Sequence, residues 1–128
     1  MYLLVDLINT SYIKDYGWNN DLISAIKSLN CETVIVSNIS KDRLDELGLT
    51  NNMPFNLFTL ESNPRKTDRK YFDRLIVELG CEFKDLILIE HNPEVVVLTR
   101  NLGIHTVLYK YKFTDTTETI EKIKNHLI

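Results

Sequence analysis

Four polar side chains, far apart along the chain, each close an apolar run or open the helix that follows one: Asp6 in LLVDLINT, Ser37 in TVIVSN, Lys66 in NPRKTDRK and Glu90 in LILIEHNP. A carboxylate, a hydroxyl, an ammonium and a second carboxylate are together what phosphoryl chemistry needs. Asp6 could attack, Ser37 could hold an oxygen, Lys66 could neutralise charge, and Glu90 could help hold Mg²⁺. They can act together only if the fold gathers them.

The elements that would do so are legible. Short Leu-rich or β-branched runs (YLLVD, TVIVSN, FNLFTL, LILIE, HTVLYK) alternate with helix-period segments (DLISAIKSLN, KDRLDELGL, TDRKYFDRLIVELG, PEVVVLTRNLG, TTETIEKIKNHLI). Continuous rather than alternating apolar strands imply burial on both faces, the habit of a parallel sheet between helices. The expectation is a doubly wound, Rossmann-like α/β sandwich of three layers, with a five-stranded parallel sheet, strand one central and strand two beside it, filling residues 1–128 as one domain. Gly80 and Gly103 read as helix ends, Asn92 with Pro93 as a helix start, and Asp115 with Glu118 as a capping box. Ligands of such sheets bind at the carboxyl ends of the strands, so Asp6, Ser37, Lys66 and Glu90 should share one crevice.

Composition narrows the partners. With 15 basic and 18 acidic side chains the chain has no long-range attraction for a polyanion, which argues against nucleic acid. Its apolar runs are strand-sized and its start is not that of a leader, so neither membrane insertion nor export is expected, and a cytoplasmic location is. Cys31 and Cys81 both fall where a helix hands over to a strand, away from the expected crevice, and read as reduced packing residues.

The order of these segments resembles that of the haloacid dehalogenase (HAD) superfamily, mostly phosphatases with an aspartate nucleophile and Mg²⁺. LLVDLINT is similar to the first motif, D-x-D-x-T after a strand, and VIVSN to the second, a Ser or Thr closing a strand. RKTDRKYFDRLIVELG is similar to the lysine-led helix of the third, and LILIEHNPEVVVLTRNLGIHTVLYK to the fourth. The resemblance implies that Asp6, Ser37 and Lys66 are the catalytic set, and that a metal would be held by Asp6, the backbone carbonyl of Ile8 and Glu90.

Departures from the pattern carry as much information. Phosphatases of the superfamily keep a second aspartate as general acid and base, and here that position is Ile8. Loss of a positioned acid or base typically costs ~10²–10⁴-fold in rate. The fourth motif reads Glu90-His91 in place of two acids, so Mg²⁺ is expected to bind weakly. His91 reads as a loop residue satisfied by a neighbouring backbone group, with a substitute proton donor as the sharper option; His105 reads as structural and His126 as surface. Neither usual insertion point holds a cap domain, so a second copy or a protein partner is expected over the loop 12–18, where Tyr12, Tyr16 and Trp18 either form that contact or pack on the domain edge.

Two readings stay open. One is a HAD-like domain with a degenerate site, poorly active or inactive on a small phosphorylated ligand and acting through binding; the other is an active Mg²⁺-dependent phosphohydrolase with a substitute donor. Dehalogenase-like or phosphonatase-like chemistry would normally need cap residues, and a response-regulator receiver would need an aspartate closing the third strand, which FNLFTLES lacks.

Overall fold

The computed structural model describes residues 1–127; Ile128, at the end of the expected last helix, lies outside them. Along the chain run β1 (Tyr2–Asp6), β2 (Tyr12–Ile13), β3 (Gly17–Trp18), α1 (Asn20–Ser28), β4 (Glu32–Ser37), α2 (Lys41–Glu46), β5 (Asn56–Thr59), α3 (Arg69–Leu79), β6 (Leu86–Glu90), α4 (Pro93–Leu102), β7 (His105–Leu108) and α5 (Thr116–Leu127). Five strands form a parallel sheet in the order β5-β4-β1-β6-β7, so the first strand is central and its neighbour is the second of the five in sequence. Leu4 stands opposite Val34 on one side and Leu88 on the other.

Successive side chains of a strand point to opposite faces, and both faces here are covered. Leu3 and Val5 of β1 and Ile87 and Ile89 of β6 meet Leu22 and Ile26 of α1 and Ile120 and Ile123 of α5. Leu4, Leu86 and Leu88 turn the other way, onto Tyr71, Phe72 and Leu75 of α3 and Val95 of α4. Each such aliphatic side chain contributes about 1.5–3 kcal/mol on burial. That two-sided cover is the reason LILIE is apolar throughout, and its last residue, Glu90, is the polar exception, wholly buried.

The helix ends follow the local chemistry. Asn92 caps α4 by accepting the Glu94 N–H, with Pro93 at the first position, and Gly80 and Gly103 end their helices in the left-handed region at φ 66° and 97°. Asp115 accepts the N–H of Glu118 at the start of α5. Among the described residues no helix is long and apolar enough to cross a membrane.

One element was not legible: between β1 and α1 the chain folds into the hairpin β2–β3, with Tyr12 opposite Trp18. Two-residue strands are too short to show a period of two. The hairpin separates the aromatic residues of this segment. Tyr12 and Trp18 pack edge to face at 5.3 Å and lie against the core, whereas Tyr16 is 74% exposed. Cys31 and Cys81 are free and partly buried against the core, and burial raises the Cys81 thiol above its ordinary value.

Candidate functional site

The crevice is built at the carboxyl edge of the sheet. After Asp6 the chain turns sharply. The Asp6 carbonyl accepts from the N–H and hydroxyl of Ser11, the Leu7 carbonyl accepts from the Tyr12 N–H, and Asn9 takes a left-handed conformation at φ 68° that asparagine tolerates. These bonds use the carbonyls of Asp6, Leu7 and Tyr12 but not that of Ile8. The side chain of Ile8 lines the crevice beside Asp6.

Lys66 reaches the same place through a different device. Its backbone N–H donates to the Asn38 side-chain oxygen at 2.7 Å, tying the loop before α3 to the end of β4. Ser62 adds a hydroxyl bond to the Asn38 carbonyl at 3.1 Å. The Lys66 ammonium then donates to Asp6 Oδ1 at 2.5 Å and to Glu90 Oε1 at 2.6 Å, with all three side chains nearly fully buried. Glu90 Oε2 accepts the backbone N–H groups of His91 and Asn92 at 3.0 and 3.1 Å. Thr10 donates its hydroxyl to Asp6 Oδ2 at 2.9 Å.

Ser37 lines the crevice as well, buried, with its hydroxyl oxygen accepting the Ile39 N–H at 3.1 Å. Its backbone is fixed from below by Tyr71, whose phenol oxygen accepts the Ser37 N–H at 3.0 Å and lies 2.8 Å from the Phe58 carbonyl. The structure therefore brings Asp6, Ile8, Ser37, Lys66 and Glu90 to one cavity of about 350 Å³.

His91 departs from the expectation of a loop residue satisfied by backbone. Its Nδ1 lies 2.5 Å from Asp6 Oδ2 and 3.4 Å from Glu90 Oε2, with the side chain 32% exposed. The ring follows Glu90 directly, and the strand end that buries Glu90 also turns the imidazole onto the Asp6 carboxylate, with the Thr10 hydroxyl 3.4 Å from the same nitrogen. Asp6, Glu90 and His91 each present a donor atom within 4.8 Å of the others, a set able to hold a metal ion.

Electrostatics follow from burial and pairing. Burial works to raise the Asp6 carboxyl, but Lys66 and His91 outweigh it and hold Asp6 below its ordinary range, as a carboxylate. For Lys66 burial works against the charge, and Asp6 and Glu90 overcome it and raise the ammonium. Glu90 is raised by burial and by Asp6, with Lys66 opposing. The hydrogen bond to Asp6 raises His91 against the loss of water around the ring.

Two cationic residues at the crevice had escaped notice in the sequence, Lys14 from the hairpin and Arg43 from the first turn of α2. Arg43 carried a usable signal, because a helix that follows a strand begins at the carboxyl edge. Lys14 carried none, since the hairpin that presents it was unseen. Ile8, Ile39, Leu47 and Val95 supply the apolar part of the wall. Arg65, by contrast, is not among the residues that line the crevice, and Arg69 pairs with Asp73 on the surface.

No family model matches the chain, and no curated protein resembles it in sequence. Solved structures do resemble it in three dimensions. An uncharacterized protein from Listeria monocytogenes superposes with a TM-score of 0.70 at 15% identity, over 99% of this chain and 98% of that one. A predicted HAD-like family hydrolase from Porphyromonas gingivalis gives 0.68 at 18% identity, covering 85% of this chain and 58% of its own. The 3-deoxy-D-manno-octulosonate 8-phosphate phosphatase from Yersinia pestis gives 0.52 at 13%, over 98% of this chain and 79% of that one. Identities this low speak to architecture alone, and the architecture agrees with the parallel sheet and its central first strand: the chain has the fold of the haloacid dehalogenase superfamily.

Proposed function

We propose that this chain is a HAD-type domain of the hydrolase fold whose site retains the means to bind a small phosphorylated ligand but not to turn it over efficiently. The observation that carries this reading is Ile8, an apolar side chain in the crevice wall beside Asp6, where the superfamily resemblance asks for a general acid. An alkyl group neither protonates a leaving oxygen nor stabilises charge developing on it. Asp6 is also fully engaged, with Lys66 on one oxygen and Thr10 and His91 on the other, so attack through either oxygen would require a partner to let go.

Binding remains well supported. Lys66, Ser37, Lys14 and Arg43 supply cationic and hydroxyl groups around the cavity, and Ile39, Leu47 and Val95 supply an apolar wall for the body of the ligand. Mg²⁺ is the cation that the resemblance implies, and Asp6, Glu90 and the carbonyl of Ile8, which accepts no backbone hydrogen bond among the described residues, would hold it; when bound it would neutralise charge on phosphoryl oxygens. The fit is poor. Lys66 already bridges the two carboxylates, and the remaining neighbour is an imidazole rather than an acid. In this reading the domain has no cap, and a second copy or a protein partner approaches the hairpin at Tyr16, the aromatic residue there that projects into solvent.

A second reading has one observation in its favour. The bond between His91 and Asp6 favours the protonated imidazole beside the would-be nucleophile, so His91 could donate the proton that Ile8 cannot. The test is hydrolysis of a broad phosphomonoester panel with Mg²⁺ by wild type and Asp6→Asn. The degenerate-site reading expects at most slow release from both; brisk release that Asp6→Asn abolishes establishes the second reading instead.

A further inference from the structure

The donor set at the crevice differs in kind from one built for Mg²⁺. We propose that Asp6, Glu90 and His91 form a site for a borderline divalent transition cation of the Zn²⁺ and Co²⁺ class, with His91 Nδ1 as a ligand and Mg²⁺ disfavoured. This rests on the reading above that the crevice is a retained site, but not on whether it is catalytic.

Three features of the geometry converge on it. First, the carboxylate oxygens are divided. Lys66 takes Asp6 Oδ1 and Glu90 Oε1, which leaves Asp6 Oδ2 turned toward the imidazole. A cation entering at Oδ2 meets nitrogen and oxygen together and need not displace the buried ammonium. Second, the separations suit a small ion. Zn–N and Zn–O bonds of about 2.0–2.2 Å place two ligands of one ion roughly 3–3.4 Å apart. His91 Nδ1 already stands 3.4 Å from Glu90 Oε2, and its 2.5 Å contact with Asp6 Oδ2 has to open by less than ~1 Å to admit the ion. The His91 side chain is the least buried of the three, which places the freedom to move where it is needed.

Third, the chemistry of the set discriminates. Mg²⁺ prefers oxygen donors in near-octahedral array and gives up its water reluctantly. Mixed imidazole and carboxylate sets favour Zn²⁺, Co²⁺ and Ni²⁺ in the usual order of affinities. Thr10 adds outer support, since its hydroxyl donates to Asp6 Oδ2 and fixes that oxygen's direction. Metal entry displaces any proton on the ring, and two carboxylates, one ammonium and a neutral imidazole then present a single negative charge to the ion, without the stronger field of an all-acid site.

Calorimetry of metal-stripped protein with Zn²⁺ and with Mg²⁺, together with the visible spectrum of Co²⁺, tests this. The expected result is one equivalent of Zn²⁺ bound at least ~10-fold more tightly than Mg²⁺. The His91 ring nitrogens should shift in the ¹⁵N spectrum of the wild type on Zn²⁺ addition, a readout that needs no variant. His91→Asn should weaken Zn²⁺ by at least ~10-fold and leave Mg²⁺ nearly unchanged. Replacing the stacked pair His105 and His126, or Cys31 and Cys81, should alter none of this. Mg²⁺ binding as tightly as Zn²⁺, unmoved His91 resonances, or binding of neither ion would each overturn the proposal. Brisk phosphomonoester hydrolysis by the Zn²⁺-loaded protein would leave this site intact and overturn the degenerate-site reading.

Discussion

Replacing Lys66 with methionine keeps most of the unbranched side chain and removes its charged end, leaving Asp6 and Glu90 facing one another without a cation between them. The side chains of Lys66, Asp6 and Glu90 are 7%, 5% and 0% exposed, so little water can take the ammonium's place. Breaking a buried ion pair by deleting one partner costs about 3–5 kcal/mol, because the charge left behind is uncompensated. For a chain of this size that corresponds to a fall in Tm of roughly 10–20 °C. Thermal and urea melts followed by circular dichroism at pH 8 measure it.

The pH dependence provides an internal check. Glu90 is already raised by burial and by Asp6, and Lys66 is what opposes the rise. A group whose folded pKa exceeds its unfolded value contributes stability below the unfolded value and loses it as pH rises through the folded one. Without Lys66 the folded value of Glu90 moves further up. The deficit of Lys66→Met should therefore shrink as pH falls from 8 toward 5, and Glu90→Gln in the same chain should recover part of it. A loss below about 1 kcal/mol at pH 8, the range of exposed ion pairs, would refute the buried triad.

Two other outcomes follow from the same geometry. Tyr71→Phe should cost about 1–3 kcal/mol in chemical denaturation, since it strips the acceptor from the buried Ser37 N–H; a change under a few tenths would mean that this phenol does not hold the end of β4. His91 in metal-free protein should titrate above its ordinary 6.5 by NMR, and Asp6→Asn should bring it down, because the bond to Asp6 is the main cause of the rise. With a raised folded value, the pair's contribution to stability is complete below about 6.5 and disappears as pH passes the folded pKa.

Much of this arrangement could be read from the chain before any coordinates, and the reasons are physical. Strands buried on both faces must be apolar throughout, so LILIE and YLLVD declared both their type and their place in a parallel sheet, and the rule that such sheets bind ligands at their carboxyl ends then placed Asp6, Ser37 and Glu90 together. The direction of Lys66 was not legible. It depends on the Asn38 amide, 28 residues away, catching a backbone N–H across a loop. The hairpin that presents Lys14 went unseen because paired segments of two residues carry no periodic signal. His91 was misread for a related reason: its partner, Asp6, is 85 residues distant, and nothing local distinguishes an imidazole that serves a backbone group from one that serves a buried carboxylate.

The central claim is that an apolar residue at position 8 limits a site that is otherwise assembled, and restoration tests it most directly. Initial rates of phosphomonoester hydrolysis should be compared for wild type and Ile8→Asp, with Mg²⁺, Mn²⁺ and Zn²⁺ supplied in turn. The account predicts slow wild-type turnover and a gain of ~10²-fold or more in Ile8→Asp with at least one of these cations, the lower end of what a positioned acid or base contributes. Wild-type turnover that is already brisk, and that Ile8→Asp does not raise, would contradict it.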